Sequence, residues 1–78
     1  MADFIDKKEK LADLLEEYKN NSEQKQELIY YVKELENDSD FKNKDLFTSL
    51  FKDINNFLGE LSSKEIKQRI LLIRSFIE

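Results

Sequence analysis

The sequence predicts an all-α fold, a small antiparallel bundle of four short helices. It contains no proline and a single glycine, so it lacks the residues that usually separate strands and long loops. Charged side chains make up 38% of the chain, and most of these residue types favour helix. Apolar residues recur at intervals of three and four, which is the spacing of one helix face. With 78 residues, we expect a single helical domain over residues 1–78.

The first helix is predicted at residues 3–19. Asp3 suits the N-cap position, because its carboxylate can accept a hydrogen bond from a free backbone N–H of the first turn. The apolar and aromatic residues that share one face are Phe4, Leu11, Leu14, Leu15 and Tyr18. Asn20 and Asn21 follow, and asparagine favours turns over helix interiors. We therefore expect the helix to end there.

The second helix is predicted at residues 22–36. Asn21 followed by Gln24 resembles a capping pair at its start. A narrow apolar stripe follows, with an aromatic residue at its edge: Leu28, Val32, Leu35 and Tyr31. The segment 37–40, with the sequence NDSD, is polar and favours a turn. This segment is expected to end the helix.

The third helix is predicted at residues 43–58, and its apolar face is the widest of the first three. The residues on that face are Leu46, Phe47, Leu50, Phe51, Ile54, Phe57 and Leu58. A face of this width indicates a helix that contacts two neighbours. Gly59 comes next and is expected to adopt the left-handed backbone that often ends a helix, because only glycine adopts it without steric cost.

The fourth helix is predicted at residues 63–77. Ser62 and Glu65 have the spacing of a capping box, and Leu61 before the cap can pack on Ile66 in the first turn. The predicted core stripe consists of Ile66, Ile70, Leu72, Ile73, Phe76 and Ile77. Arg69 borders this stripe, where its guanidinium can reach water or a carboxylate. Arg74 is expected on a polar, basic face near the helix end, where a cation suits the helix dipole.

The composition argues against an enzyme, a cofactor site and a metal site. The chain has no cysteine and no histidine, so it lacks thiolate chemistry, the commonest general base and the commonest transition-metal ligand. One glycine cannot build a glycine-rich phosphate loop. The loop that begins at Asp38 departs from a calcium loop at three positions, namely Lys42, Asn43 and Ser49. We therefore predict no catalytic residues, no cofactor and no metal.

Neither a membrane span nor a signal peptide is predicted. The sequence has no run of about 18 apolar residues, the length needed to cross a bilayer. Its first ten residues, MADFIDKKEK, are more acidic and polar than the start of a signal peptide. We therefore expect a cytoplasmic protein that has no membrane partner.

The remaining class of function is binding to another protein. The net charge is −4, and most of the acidic excess lies in the first two predicted helices. A compact acidic bundle of this size is typical of proteins that occlude a basic or apolar site on a larger partner. Tyr30 and Leu71 are large apolar side chains that fall outside the core stripes, as interface residues often do. The candidate partner-binding residues are Glu23, Glu27, Tyr30, Glu34, Leu71 and Arg74.

The predicted layout of four short helices, the last two joined at a capped turn, resembles that of bacteriocin immunity proteins and of some small phage-borne inhibitors. The resemblance is one of architecture, without a shared motif. It implies an inhibitor, immunity protein, antitoxin or phage-type anti-host factor, encoded by a phage or a plasmid. On this interpretation the protein acts by covering a site on its partner.

Two alternatives remain open. The first is a structural or scaffold subunit whose partner is a second copy of itself, because narrow and wide apolar stripes on different helices suit a helical homodimer. The second is a helix-turn-helix regulator that binds nucleic acid. Residues 62–78 carry a net charge of +2, against −6 for residues 1–61. An overall charge of −4 repels phosphates, however, which disfavours nucleic acid as the partner.

Overall fold

The computed structural model describes residues 3–76 and shows an all-α fold with four helices. The helices are α1 (Asp3–Asn20), α2 (Lys25–Glu36), α3 (Asp45–Phe57) and α4 (Ser63–Ser75). Two short 3₁₀ turns, Ser22–Gln24 and Leu58–Glu60, precede α2 and follow α3. No strand occurs within the described residues, so the predicted fold class is confirmed. Ile77, predicted in the core stripe of α4, lies outside this range.

The helices pack in an order that places α1 between α2 and α4. The α1 helix makes its most extensive contacts with α4 and also packs on α2, which in turn packs on α3. Lys8, near the start of α1, contacts the last residues of α4, so these two helices run antiparallel. Although α3 and α4 are consecutive in the chain, they are not among the close helix pairs. This wider separation leaves a groove between them.

The core combines the predicted stripes with a group of phenylalanine rings. The buried apolar residues are Leu11, Ala12, Leu14, Leu15, Leu28, Val32, Leu35, Phe41, Phe47, Leu50, Phe51, Ile54, Leu58, Ile66, Ile70 and Ile73. Phe41 belongs to the connection between α2 and α3, yet it is fully buried. Its ring meets that of Phe47 edge-on, with centroids 4.8 Å apart, and that of Phe4 at 5.0 Å. Aromatic contacts of this kind hold the connection against α1 and α3.

The capping box at the start of α4 is confirmed. The Ser62 backbone N–H donates to Oε1 of Glu65 at 2.9 Å, and the Glu65 N–H donates to Oγ of Ser62 at 3.2 Å. These reciprocal bonds satisfy two backbone donors that have no partner within the helix. The same bonds lower the pKa of the Glu65 carboxyl, because they favour its charged form.

The prediction for Gly59 is wrong. No glycine has a positive φ, and Gly59 lies inside the 3₁₀ turn Leu58–Glu60. The turn ends α3 by tightening the right-handed backbone, and the Leu61 N–H donates to the Leu58 carbonyl at 3.3 Å. The chain then extends at Leu61 and enters α4. A left-handed residue is therefore not needed here.

The prediction for Asn21 and Gln24 is partly wrong. The Asn21 side chain accepts a hydrogen bond from the Glu23 N–H at 3.1 Å, so it caps the 3₁₀ turn rather than α2. Gln24, at the start of α2, makes no side-chain capping bond. Asn21 does not cap α2 as predicted because the 3₁₀ turn lies between this asparagine and the helix.

Two residues predicted in the core are half exposed instead. Phe57 is 52% exposed and Leu72 is 50% exposed. Phe57 is the last residue of α3, where the backbone tightens into the 3₁₀ turn. Leu72 lines the groove between α3 and α4, so the separation of these helices leaves its side chain partly uncovered.

Candidate protein-binding surfaces

The outer face of α2 and of the turn before it carries an acidic stripe, formed by Glu23, Glu27, Tyr30 and Glu34. Intervals of four, three and four residues place these side chains along one face, and all of them are exposed. Tyr30 is 70% exposed, the largest fraction among the exposed large hydrophobic residues within 3–76. Within residues 3–76, none of the three carboxylates forms an ion pair. No ion pair within the described residues therefore neutralises their charges.

The neighbouring Tyr31 helps hold this face in place. It is half-buried and packs against the core. The Nζ atom of Lys10, on α1, lies 4.6 Å from the centre of the Tyr31 ring, a cation–π contact between the two helices. Burial raises the pKa of the Tyr31 hydroxyl, because it disfavours the phenolate. A shallow depression of about 180 Å³ lies between Lys10, Leu14, Glu27 and the two tyrosines, beside the acidic stripe.

A second surface lies on α4. Leu71 is 57% exposed, and with Leu72 it forms an apolar patch bordered by Gln68 and Ser75. The exposure of Leu71 follows the sequence prediction, whereas Leu72 was missed because its position at the edge of the core stripe favoured burial. The patch adjoins the α3–α4 groove, which has a volume of about 290 Å³. The apolar residues lining that groove are Leu46, Leu50, Leu72 and Ile73.

An ion pair crosses the groove between α3 and α4. Nη2 of Arg69 lies 3.3 Å from Oδ2 of Asp53, and Nη1 donates to the Glu65 carbonyl at 3.0 Å. The arginine thus reaches a carboxylate, as its border position predicted. Nε of Arg69 is buried and has no hydrogen-bond partner within the described residues. The pair joins two helices whose backbones remain apart.

Arg74 faces α1, where carboxylates surround it. Its guanidinium lies 2.7 Å from Asp13, 3.3 Å from Glu16 and 3.6 Å from Glu9. Hydrogen bonds with Glu16 and Asp13, together with the negative charges of Glu16 and Glu9, raise the pKa of Arg74. The prediction that Arg74 lies on a basic face is therefore wrong, because α1 supplies three acids that the α4 sequence does not contain. Its role as a partner contact stays a prediction.

The structure separates the six candidate residues into two sets. The acidic stripe lies on the α2 side, while Leu71 and Arg74 lie on α4. Both helices pack on α1 and do not form a close pair. A single compact partner surface would therefore contact one set or the other.

The described part of the chain carries no recognisable centre for metal chemistry. Among residues 3–76, no group of three or more acidic residues is placed to hold a metal ion. None of the helices in this range is both long and apolar enough to cross a membrane. Comparisons of the chain with protein-family models, with curated proteins and with solved structures found no match.

Proposed function

We propose that this protein is not an enzyme and acts by binding another protein through the acidic stripe on α2. The observation that carries this proposal is a row of three exposed carboxylates, free of ion pairs within residues 3–76, around a tyrosine that is 70% exposed. A partner with a basic surface could contact the carboxylates and the tyrosine ring at the same time.

The two components of the stripe have different roles in this proposal. The carboxylates Glu23, Glu27 and Glu34 attract a positively charged surface and raise the rate of association, and salt weakens this effect. Tyr30 is 70% exposed and would lose much of this exposed surface on contact with a partner. Large aromatic side chains of this kind supply much of the binding energy at interfaces. The tyrosine therefore controls mainly the rate of dissociation.

The partner site on this proposal is a basic channel or patch, such as one that holds nucleic acid, or the surface of a basic toxin. Covering it would make the protein an inhibitor, immunity protein, antitoxin or phage-type anti-host factor that acts in the cytoplasm. The small acidic helical bundle supports this class of inhibitory proteins, because a charged helix face can cover a site on a partner without any catalytic residue. Origin in a phage or plasmid belongs to the same proposal.

A helix-turn-helix role has less support. Ile66, Ile70 and Ile73 are buried against the rest of the bundle, so α4 cannot present that face to a groove of DNA. The exposed lysines on its outer face are Lys64 and Lys67. Two lysines in a chain whose net charge is −4 give little attraction for phosphates. Protein remains the partner that the geometry supports best.

The test compares two variants of equal charge. The stripe variant carries Glu23→Lys, Glu27→Lys and Glu34→Lys. The control variant makes the same charge change at exposed acids outside the stripe, Asp6, Glu17 and Glu60. Both are first shown to retain the helical circular dichroism of the parent. The native partner is captured from the host with the parent protein, and association is then measured over a range of salt concentrations.

We expect the stripe variant to associate more slowly and to lose the salt dependence, while the control variant keeps most of the parent rate. Tyr30→Ala should dissociate faster at an unchanged association rate. Equal binding by the parent, the stripe variant and Tyr30→Ala would show that the acidic stripe is not the binding surface. If Leu71→Ala alone abolished binding, the functional surface would lie on α4.

A further inference from the structure

The outer face of α4 has an apolar centre that the fold leaves uncovered. Leu71 and Leu72 are adjacent in the chain and are 57% and 50% exposed. Their patch continues into the groove of about 290 Å³ between α3 and α4. Lone exposed leucines are ordinary, but a patch continuous with an apolar groove is typical of an interaction surface.

The charges around this patch differ at its two ends. Toward the start of α4, Lys64 and Lys67 are exposed and form no ion pair with any described residue. Toward the end of α4, three carboxylates of α1 surround the guanidinium of Arg74, and the ammonium of Lys8 binds the last carbonyls of the helix. Three negative charges against two positive ones leave this end with a net negative charge. Leu71 lies between the two ends, one turn after Lys67 and less than one turn before Arg74. One face therefore has a basic half, an apolar centre and an acidic half.

We propose that a second copy of this chain covers the face, with the two α4 helices antiparallel across a two-fold axis near Leu71 and Leu72. A two-fold axis brings the same patch of both copies together in opposite directions. The basic half of each copy then meets the acidic half of the other, so that Lys67 faces the carboxylates around Arg74 twice in one dimer. The leucines meet at the centre, and the groove beside Leu72 gives room for a leucine of the second copy.

Charge complementarity is what selects a second copy as the occupant. The face matches itself after a two-fold rotation, because its two halves have opposite sign and lie on either side of an apolar centre. A uniformly basic partner would be repelled at the lysine end, and a uniformly acidic partner would be repelled at the Arg74 end. The acidic stripe lies on α2, which α1 separates from α4, so the dimer would present two free stripes. This inference does not depend on the proposed function.

The first test is the mass of the purified full chain by sedimentation equilibrium, over about a thousandfold range of concentration, because dimerisation follows mass action. We expect a reversible change from monomer to dimer. The double variant Leu71→Glu, Leu72→Glu should raise the dimer dissociation constant by about a hundredfold or more, since each substitution places a charge at the apolar centre. The control is Phe57→Glu, at a half-exposed aromatic residue at the end of α3, which should dimerise as the parent does. Circular dichroism checks that all the chains remain helical.

The second test addresses the antiparallel arrangement through exchanged charges. Lys67→Glu places like charges at both ends of the interface, and so does Glu9→Lys, which leaves Asp13 and Glu16 to hold Arg74. Each variant alone should dimerise at least about tenfold more weakly than the parent. An equimolar mixture should form a heterodimer of near-parental affinity, because both contacts then join opposite charges again.

Three results would overturn the proposal. The first is a chain that stays monomeric over the whole concentration range, which would leave this face to a different protein. The second is a Leu71, Leu72 variant that dimerises as well as the Phe57 control, which would place the interface elsewhere. The third is the absence of recovery in the mixture of the two charge variants, which would exclude the antiparallel arrangement.

Discussion

The ammonium group of Lys8 donates a hydrogen bond to the carbonyl oxygen of Phe76 at 2.8 Å, although the two residues are 68 positions apart in the chain. It also lies 3.5 Å from the Arg74 carbonyl. Lys8 is only 8% exposed, so a cation is buried at the point where α4 ends. The last carbonyls of a helix have no hydrogen-bond donor within the helix and carry partial negative charge. A lysine ammonium supplies both the missing donor and a compensating positive charge. The start of α1 thus caps the end of α4.

Replacing Lys8 with methionine should lower the free energy of unfolding by about 1 to 2 kcal/mol. Methionine keeps much of the apolar stem but removes the donor, which leaves the carbonyls at the end of α4 without a partner. Chemical denaturation followed by circular dichroism measures the change. Lys33→Met is the matched control, because Lys33 is exposed on α2 and has no hydrogen bond among the described residues. Equal stabilities of the two variants would mean that the cap contributes nothing.

Replacing Phe41 with alanine should cost about 3 to 5 kcal/mol, the range for a fully buried phenylalanine. The loss combines the buried apolar area with the ring contacts to Phe4 and Phe47. Phe57→Ala provides the comparison, because Phe57 is half exposed and should cost far less. Thermal or urea unfolding of both variants measures the two losses of unfolding free energy. Equal losses would show that the connection between α2 and α3 does not contribute to the core.

These two residues show where prediction from the sequence succeeds and where it ends. The helices and most of the core were predictable, because apolar periodicity repeats within each segment and the buried stripes follow it. Phe41 lies in a connection, outside any periodic run, so no pattern assigned it to the core. Lys8 falls between Phe4 and Leu11 on the apolar face of α1, but its burial depends on carbonyls at the other end of the chain. Long-range partners of this kind leave no local signal.

The candidate surfaces were predictable to a similar extent. The exposure of Tyr30 and Leu71 followed from their positions opposite the core stripes. The surroundings of Arg74 did not, because the three acids that hold it come from α1 and meet it only after the bundle forms. Leu72 lies at the edge of its stripe, where burial depends on how closely α3 and α4 approach. Periodicity assigns a residue to a face but does not give the distance between helices.

Acid should destabilise the fold partly through Asp38. Its carboxylate accepts a hydrogen bond from Lys7, which lowers the pKa of Asp38 below its ordinary value of 3.8. A carboxyl group whose folded pKa is lowered stabilises the fold above its unfolded pKa, and this stabilisation is lost as the pH falls through the folded pKa. The same contact raises the pKa of Lys7 above 10.5, so its stabilisation is lost at the alkaline end as the pH rises through that folded value.

Asp38→Asn isolates the charge, because asparagine can still accept the hydrogen bond that the Asp40 N–H donates to Oδ1 of Asp38 at 2.8 Å. We expect a lower melting temperature than the parent at neutral pH and a difference that shrinks as the pH falls through the folded pKa of Asp38, because the parent carboxyl is then protonated. Glu17→Gln removes an exposed carboxylate that forms no ion pair within residues 3–76, and it should change the melting temperature far less. A constant difference between parent and Asp38→Asn at every pH would exclude the ion pair as the cause.

Arg74→Gln should reduce stability by about 1 kcal/mol, a value limited by the solvent that reaches this cluster. The substitution leaves Glu9, Asp13 and Glu16 close together at the contact of α1 with α4, without the cation that offsets their repulsion. Salt screens repulsion between exposed charges, so added sodium chloride should stabilise the variant more than the parent. Thermal unfolding at low and high salt measures this difference. The control is Lys67→Gln, which removes a cation of the same helix that has no ion pair among the described residues.

The same variant separates a structural role of Arg74 from a role in binding. If Arg74 acts only within the fold, adding Asp13→Asn to Arg74→Gln should recover part of the lost stability, because it removes one of the crowded charges. Binding of the native partner, measured well below the unfolding temperature, should then equal that of the parent for the single and the double variant. If Arg74 contacts the partner directly, dissociation should be faster in both variants whatever their stability, because Asp13→Asn does not restore the guanidinium. Recovery of stability without recovery of binding would therefore assign Arg74 to the interface, and recovery of stability with unchanged binding would assign it to the contact between α1 and α4.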